Sequence, residues 1–350
     1  MVRYCWVWIL LACPLFGIEV LDEKGHAMDF YGKVRLSTSH VSQDSAGEGW
    51  YVSDHKTRLG LKGTYSGVEN ISLFYRLEIG LDLVDHNKAS QDFLVSRDTY
   101  LGIKGEWGAL SIGRHNTAYK VSAVKVDLFN HTLADADAIF GRTATGKDIN
   151  HRFNNSLSYN SPKSGAWHWR TQVGVEDEAT SAGEKAKQAM NLSLHYGNSN
   201  TKMDLVAYGE SGAFKLSSAQ GDAYALRMVL RHDHQKNRYG LGVEKTFSDV
   251  SANERIAVLI SWRRQMMPHH YLSVQGVWAQ DSEAGSDAAK MAAVGWTRKI
   301  GKHAELYGLV TVLDSDGGGY ALAKQGGSDV FTTSVNDRVQ GMALGINYSF

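Results

Sequence analysis

The residues with chemical potential in this sequence are charges placed at every second position. Lys33 and Arg35 flank Val34, Arg58 and Lys62 stand around Leu59 and Leu61, and Arg76 and Glu78 bracket Leu77. Lys104 and Arg152 occupy the same phase in their own alternating stretches. On an extended chain, side chains two apart share a face. Each pair therefore charges one surface while hydrocarbon covers the other. A further set, Asp127, Asp135, Asp137 and Asp148, lies in the connection 117–150. Each charge taken singly reads equally well as a solvated polar residue; the clustering carries the inference.

Other candidates are weaker. His40-Val41-Ser42 has the His-x-Ser spacing of a barrel phospholipase, but no Asn or Asp can be placed beside it to orient the imidazole. With 14 histidines in a Ser-rich chain, such a match is expected by chance. His269-His270 lacks the paired spacing of a metal site. Gly317-Gly318-Gly319 follows Asp316 in a loop and does not join a strand to a helix, so it is no phosphate cradle. Asp281, Glu283 and Asp287 suit a solvated acidic loop better than a Ca²⁺ site. No catalytic residue, metal or cofactor is expected.

The elements that position these charges follow from composition. The chain of 350 residues has 36 Gly and only 3 Pro. Proline breaks sheet ladders, so its near absence leaves room for many long, fully paired strands. Lys+Arg and Asp+Glu are both 37, which provides no basic field for nucleic acid. Residues 1–17 read as a secretory signal peptide, with Arg3 before an apolar run ending at Gly17. Cleavage after Gly17 is favoured over cleavage after Ala27, which leaves Asp22, Glu23 and Lys24 in the leader. Cys5 and Cys13 both fall in the leader, so the mature chain lacks thiols. A lipoprotein reading of Leu10-Leu11-Ala12-Cys13 is the weaker alternative. A mean hydropathy of −0.30, with no long apolar run after the leader, excludes a bundle of membrane helices.

From residue 28 onward the chain alternates. Met342, Leu344, Ile346, Tyr348 and Phe350 fall on one face, with Ala343, Gly345, Asn347 and Ser349 on the other. Ile256, Val258, Ile260 and Trp262 alternate with Ala257, Leu259, Ser261 and Arg263 in the same way. About sixteen such strands are expected, from 28–39 to 338–350, an even number suited to a transmembrane barrel. Short turns such as 105–108, 198–200 and 300–302 alternate with long connections at 40–55, 84–97, 117–150 and 315–337. A barrel with periplasmic turns and extracellular loops has this asymmetry, whereas a soluble sandwich has no cause for it. An Arg or Lys on the lipid face at mid-membrane costs about 2–4 kcal/mol, so Lys33, Arg35, Arg58, Lys62, Arg76, Glu78, Lys104 and Arg152 are assigned to the lumen.

The mature chain resembles the general diffusion porins of the Gram-negative outer membrane. The resemblance rests on Asp29-Phe30-Tyr31-Gly32-Lys33-Val34, on Thr57-Arg58-Leu59-Gly60-Leu61-Lys62-Gly63, on the segments Arg97 to Gly105 and Gly108 to Asn116, and on terminal Phe350. It implies an all-β, transmembrane, antiparallel up-and-down barrel over 18–350. The barrel would have long extracellular loops and a third loop, 117–150, folded inward to narrow the lumen. It also implies a homotrimer in contact with outer-membrane lipid and lipopolysaccharide, passing ions and small hydrophilic solutes. The basic side of the constriction would be Lys33, Arg35, Arg58, Arg76, Lys104 and Arg152, and the acidic side Glu78, Asp127, Asp135 and Asp137. Phe350 matches the terminal aromatic that the barrel-assembly machinery reads. Two departures stand out: His131 replaces an expected acid, and Tyr100 occupies a wall position often held by Arg in enterobacterial porins. A saccharide-selective porin, with the 9 Trp and 16 Tyr supplying a stacking ladder, is the alternative function, and a barrel phospholipase a more remote one. Mass measurement of the mature protein is expected to give a chain starting at Ile18; a start at Met28 would move the cleavage site.

Overall fold

Hairpins that are apolar on one face and polar on the other leave exposed edges unless the sheet closes on itself. The protein is described here from a computed structural model covering residues 18–22, 25–84, 94–143, 148–175, 188–211, 222–248, 254–281, 288–316, 321–322, 331–334 and 336–350. The leader 1–17, Glu283, Asp287 and the glycines 317–319 lie outside the described residues.

The wall strands are β1 (His26–Gln43), β2 (Gly47–Asp54 continuing as Thr57–Val68), β3 (Ile71–Leu81), β4 (Leu94–Gly105), β5 (Gly108–Asn116), β6 (Arg152–Asn160), β7 (Trp167–Val175) and β8 (Gln188–Gly197). They continue as β9 (Thr201–Glu210), β10 (Ala223–His234), β11 (Asn237–Ser248), β12 (Arg255–Met267), β13 (His270–Asp281), β14 (Ala289–Ile300), β15 (Ala304–Ser315) and β16 (Asp337–Ser349). Both parts of β2 pair with β1 in turn, across an interruption at His55 and Lys56 where Lys56 has φ +63°. They therefore form one strand, and the wall has sixteen. A short segment, Ile18–Asp22, also folds back on β1.

Neighbouring strands pair antiparallel, and β1 meets β16 from Lys33↔Ser349 to Gln43↔Val339. The last residue completes this seam. Gly32 and Phe350 exchange backbone hydrogen bonds of 3.0 and 3.1 Å. The Phe350 ring lies over Gly32, where a Cβ would fall 2.3 Å from its Cζ.

The faces are inverted relative to a water-soluble fold. Leu344, Ile112 and Ile260 are each more than 60% exposed on the outside, while Ser156, Ser158, Gln172 and Asn191 are buried on the inside. An outward hydrocarbon belt of this extent is what a barrel in lipid requires. No helix of the described residues is long and apolar enough to cross a membrane, so the strands do the crossing.

One connection differs from expectation. Residues 40–55 continue the hairpin, since β1 runs to Gln43 and β2 begins at Gly47. The polar outward residues His40 and Ser42 remove the hydropathy contrast that marks a strand. The connection 117–150 does enter the barrel. It forms α1 (Ala118–Val124) and a 3-10 turn at Ala136–Ala138. Its Phe129, Leu133, Ile139 and Phe140 pack on inward Val229, Leu259, Val277, Leu309 and Leu313. The main hydrophobic core is thus a loop laid against the inner wall.

Candidate functional site

The loop is held by a buried ion pair. Arg227 on β10 and Glu244 on β11 face each other in register, with side chains 0% and 1% exposed. Arg227 Nη2 and Nε donate to Glu244 Oε2 at 2.5 and 2.9 Å. The remaining capacity of both groups goes to the loop. Glu244 accepts from Tyr119 Oη at 2.8 Å and from the Gly141 N–H at 2.6 Å. Arg227 Nη1 donates to the Tyr119 carbonyl at 2.7 Å and to Asn150 Oδ1 at 3.1 Å. Its guanidinium lies 3.6 Å from the Tyr119 ring centre and 4.3 Å from that of Phe140. Gly141 has φ +98°, and a Cβ there would fall 1.9 Å from Asn150 Nδ2.

Further anchors surround this one. Arg255 on β12 donates to the Ile139 and Arg142 carbonyls at 2.9 and 2.8 Å. Ser261 Oγ reaches the Val126 carbonyl at 2.6 Å. Lys125 Nζ meets Asp204 Oδ1 on β9 at 2.5 Å. That carboxylate also contacts His195 Nδ1 at 2.6 Å, and His195 Nε2 contacts Ser193 Oγ at 2.8 Å. The arrangement resembles a hydrolase relay. Ser193 is only 2% exposed and bonds the Arg170 carbonyl, so the relay serves to anchor the loop. His40, from the His-x-Ser pair, rests on Trp50 on the outer wall at 5.0 Å between ring centres.

The loop acids hold the loop's own backbone. Asp127 accepts from the Phe129 and Ala136 N–H groups at 3.0 and 3.1 Å and from Gln275 at 2.9 Å. Asp135 accepts from the His131 and Asp137 N–H groups at 2.7 and 3.0 Å. Asp148 caps Asn150 at 2.7 Å. Asp137 is half-buried, bonded to Asn150 at 2.9 Å and 3.8 Å from Lys120 Nζ. Burial pushes the Asp135 carboxyl well above the ordinary carboxylate range, and Asp137 and Asp127 add to the rise. Asp127 is raised chiefly by burial as well. Burial lowers His131 well below the ordinary imidazole value, helped by Lys56, Arg35 and Arg58. At 3.9 Å from Asp135, His131 is thus a neutral neighbour.

The facing wall, on β1 to β7, is cationic. Glu78 on β3 accepts from Arg97 Nε at 2.6 Å and Tyr31 Oη at 2.8 Å, and lies 3.7 Å from Arg58 Nε. Asp98 accepts from Arg152 at 2.6 Å and Asn116 at 2.7 Å, with Arg76 at 3.6 Å. Lys33 pairs in register with Arg58. Arg35 lies within electrostatic reach of Asp135, and Lys56 of both Asp135 and Asp137. Arg35, Lys56 and Arg58 thus act electrostatically on the loop tip at His131 and Asp135. Lys104 lies apart, next to the short turn 105–108. Sequence reasoning missed Lys56, Arg97, Asp98 and Arg170. A register shift between Leu77 and Ile79 lets both Arg97 and Asp98 reach inward, which strict alternation forbids. The polar run Ser96-Arg97-Asp98-Thr99 was the available signal. Among the described residues no group of three or more His, Cys, Asp or Glu is placed to hold a metal.

A family model described as Gram-negative porin matches residues 23–350. The chain belongs to the Gram-negative porin family. It is similar to a chitoporin of Vibrio furnissii, 29% identical over 223 residues, or 61% of this chain and 58% of that one. It is also similar to the major outer membrane protein P.IB of Neisseria sicca, 24% identical over 226 residues, or 61% of this chain and 57% of that one. The matches thus span a little under three fifths of either relative. Among solved structures, an anion-selective porin from Comamonas acidovorans aligns with a TM-score of 0.79 at 16% identity, covering 93% of this chain and all of that one. A Salmonella typhi OmpF structure aligns at 0.70 and 14% identity, covering 95% of this chain and all of that one. Family and fold place this porin in the outer membrane.

Two outcomes follow for this porin. Arg227→Leu leaves Glu244 buried without its partner, a defect worth about 3–5 kcal/mol. The loop is expected to loosen, and single-channel recordings should show larger and noisier steps than the parent. Asp127 and Asp135, with folded pKa values raised above unfolded ones, favour loop packing at low pH and lose that contribution as pH rises through the raised values. On acidification they become neutral while the arginines stay charged. The reversal potential should therefore move toward anions, by less in Asp135→Asn.

Proposed function

We propose that this porin is a passive diffusion channel whose constriction prefers small hydrated anions. One observation carries the reading. The cationic wall of Arg35, Arg58, Arg76, Arg97, Arg152 and Arg170 with Lys33 faces a loop whose acids are engaged by its own backbone. Glu78 and Asp98 each offset part of this charge while held by arginines. Arg35 Nη1 and Arg58 Nε are buried and have no hydrogen-bond partner among the described residues. Rings of Arg and Lys select anions by replacing part of the hydration shell. Lys33, Arg35, Arg58, Arg76 and Arg152 form the basic side, Glu78 tempers it, and Asp137 contributes a half-buried acidic charge from the loop. Asp127 and Asp135 shape the loop, and Lys104 draws anions at the far rim.

The remaining partners belong to the same reading. The protein is exported through a cleaved leader, contacts lipid and lipopolysaccharide through its outer belt, and assembles as a homotrimer. Trimers accord with a neighbouring OmpT structure of Vibrio cholerae described as a trimer form. Phe350, seated on Gly32 at the seam, serves as the signal for the barrel-assembly machinery. A saccharide-selective pore is the second reading, supported by the chitoporin relative. Block of the current by micromolar chitohexaose would favour it.

The test is planar-bilayer recording in a potassium chloride gradient. Steps in groups of three with an anion-preferring reversal potential are expected. Arg58→Ala combined with Arg76→Ala should move that potential toward cations. An unchanged potential would remove these residues from the constriction.

A further inference from the structure

Between the constriction and the short-turn rim, the same wall carries aromatic rings that diffusion alone does not call for. Tyr31 lies over Gly60, where a Cβ would fall 2.3 Å from its Cζ. Phe74 lies over Gly102, where a Cβ would fall 2.4 Å from its Cζ. Only a wall without a side chain at those points lets the rings lie down against it. Tyr100 is held flat on His115, with 4.6 Å between centres and 14° between planes. His115 is itself fixed by Ser111 and Ser156 at 2.9 and 2.8 Å. Phe74 meets Tyr100 edge-on at 6.2 Å. These half-buried rings are thus immobilised before any solute arrives, which lowers the entropic cost of contact.

The polar groups around the rings are mostly donors. Phe74, Tyr100, Lys62, Arg76 and Lys104 line one cavity of about 510 Å³. Phe74, Arg76, Tyr100 and Arg170 line a second of about 230 Å³. The acids present are already engaged. Asp29 lies 3.1 Å from Lys62, and Asp98 holds Arg152 and Asn116. Fixed ring faces with a surplus of cations suit a solute that presents a flat apolar face and an anionic group together.

We propose that Phe74 and Tyr100, with Arg76 and Lys104, form a subsite for aromatic monocarboxylates on the short-turn side of the constriction. This rests on the reading of the protein as a pore. The rings take the planar face while the guanidinium and ammonium take the carboxylate. Neutral sugars leave the cations without a partner, and small aliphatic acids leave the rings unused.

The experiment compares benzoate with acetate in bi-ionic reversal-potential measurements on the full protein in bilayers, with chloride as the common reference. A pore that sorts by size and charge passes acetate more readily, because benzoate is larger. The subsite predicts a benzoate-to-acetate permeability ratio above one. Tyr100→Leu and Phe74→Leu, which keep apolar bulk, should each lower that ratio about threefold or more, the scale of one aromatic contact. The potassium-to-chloride selectivity should not change, which also certifies that the variants are folded. A ratio below one in the parent, or a ratio untouched by both substitutions, overturns the proposal. Absence of potassium chloride steps in the parent would instead overturn the pore reading beneath it.

Discussion

The architecture turns on one buried ion pair. Arg227 and Glu244 stand on adjacent strands of the inner wall, and desolvating two charges costs several kcal/mol each. That cost is offset only when every remaining proton and lone pair finds a partner, and here the partners belong to the loop: the Tyr119 hydroxyl and carbonyl, the Gly141 N–H and the Asn150 amide. Removing the loop would strand the pair, and removing the pair would loosen the loop at Tyr119, Gly141 and Asn150. A segment that enters the barrel is thereby fixed to one side of the lumen, and the open passage is left against the opposite side.

That division separates two kinds of wall. Strands β10 to β16 turn Val229, Leu259, Val277, Leu309 and Leu313 inward, which would be costly facing water, and the loop covers them. Strands β1 to β7 carry Arg35, Arg58, Arg76, Arg97, Arg152 and Arg170. The loop's acids are largely used to hold its own turns, so they contribute less negative charge to the passage than their number implies. In the proposed channel, the field across the gap is then set mainly by the wall.

Most of the barrel was legible in the sequence, because a membrane barrel writes period two directly into hydropathy. Residues 256–263 and 342–350 fall on the faces their alternation assigned. The lumen positions of Arg58, Arg76, Glu78 and Arg152 followed from the same parity. Parity failed where backbone irregularity intervened. The shift beside Glu78 brings in Arg97 and Asp98, and the interruption at His55–Lys56 turns Lys56 toward the loop. The 40–55 hairpin was hidden because its outward residues include His40 and Ser42. The loop's resting place was written in Leu259, an inward apolar residue that a purely aqueous lumen would not favour, but one such residue does not identify what covers it. The anchoring role of Arg227 and Glu244 depends on a register between strands and a loop far apart in sequence, which no local pattern encodes.

We propose that the loop tip and the arginine wall together form the narrowest point. It is tested most directly by placing single cysteines after residue 17, where the sequence has none of its own. Channels bearing Lys56→Cys or Asp137→Cys should lose much of their conductance on reaction with a bulky methanethiosulfonate, while Lys104→Cys, near the short-turn rim, should lose little. Equal loss at all three positions, or loss at Lys104 alone, would contradict it.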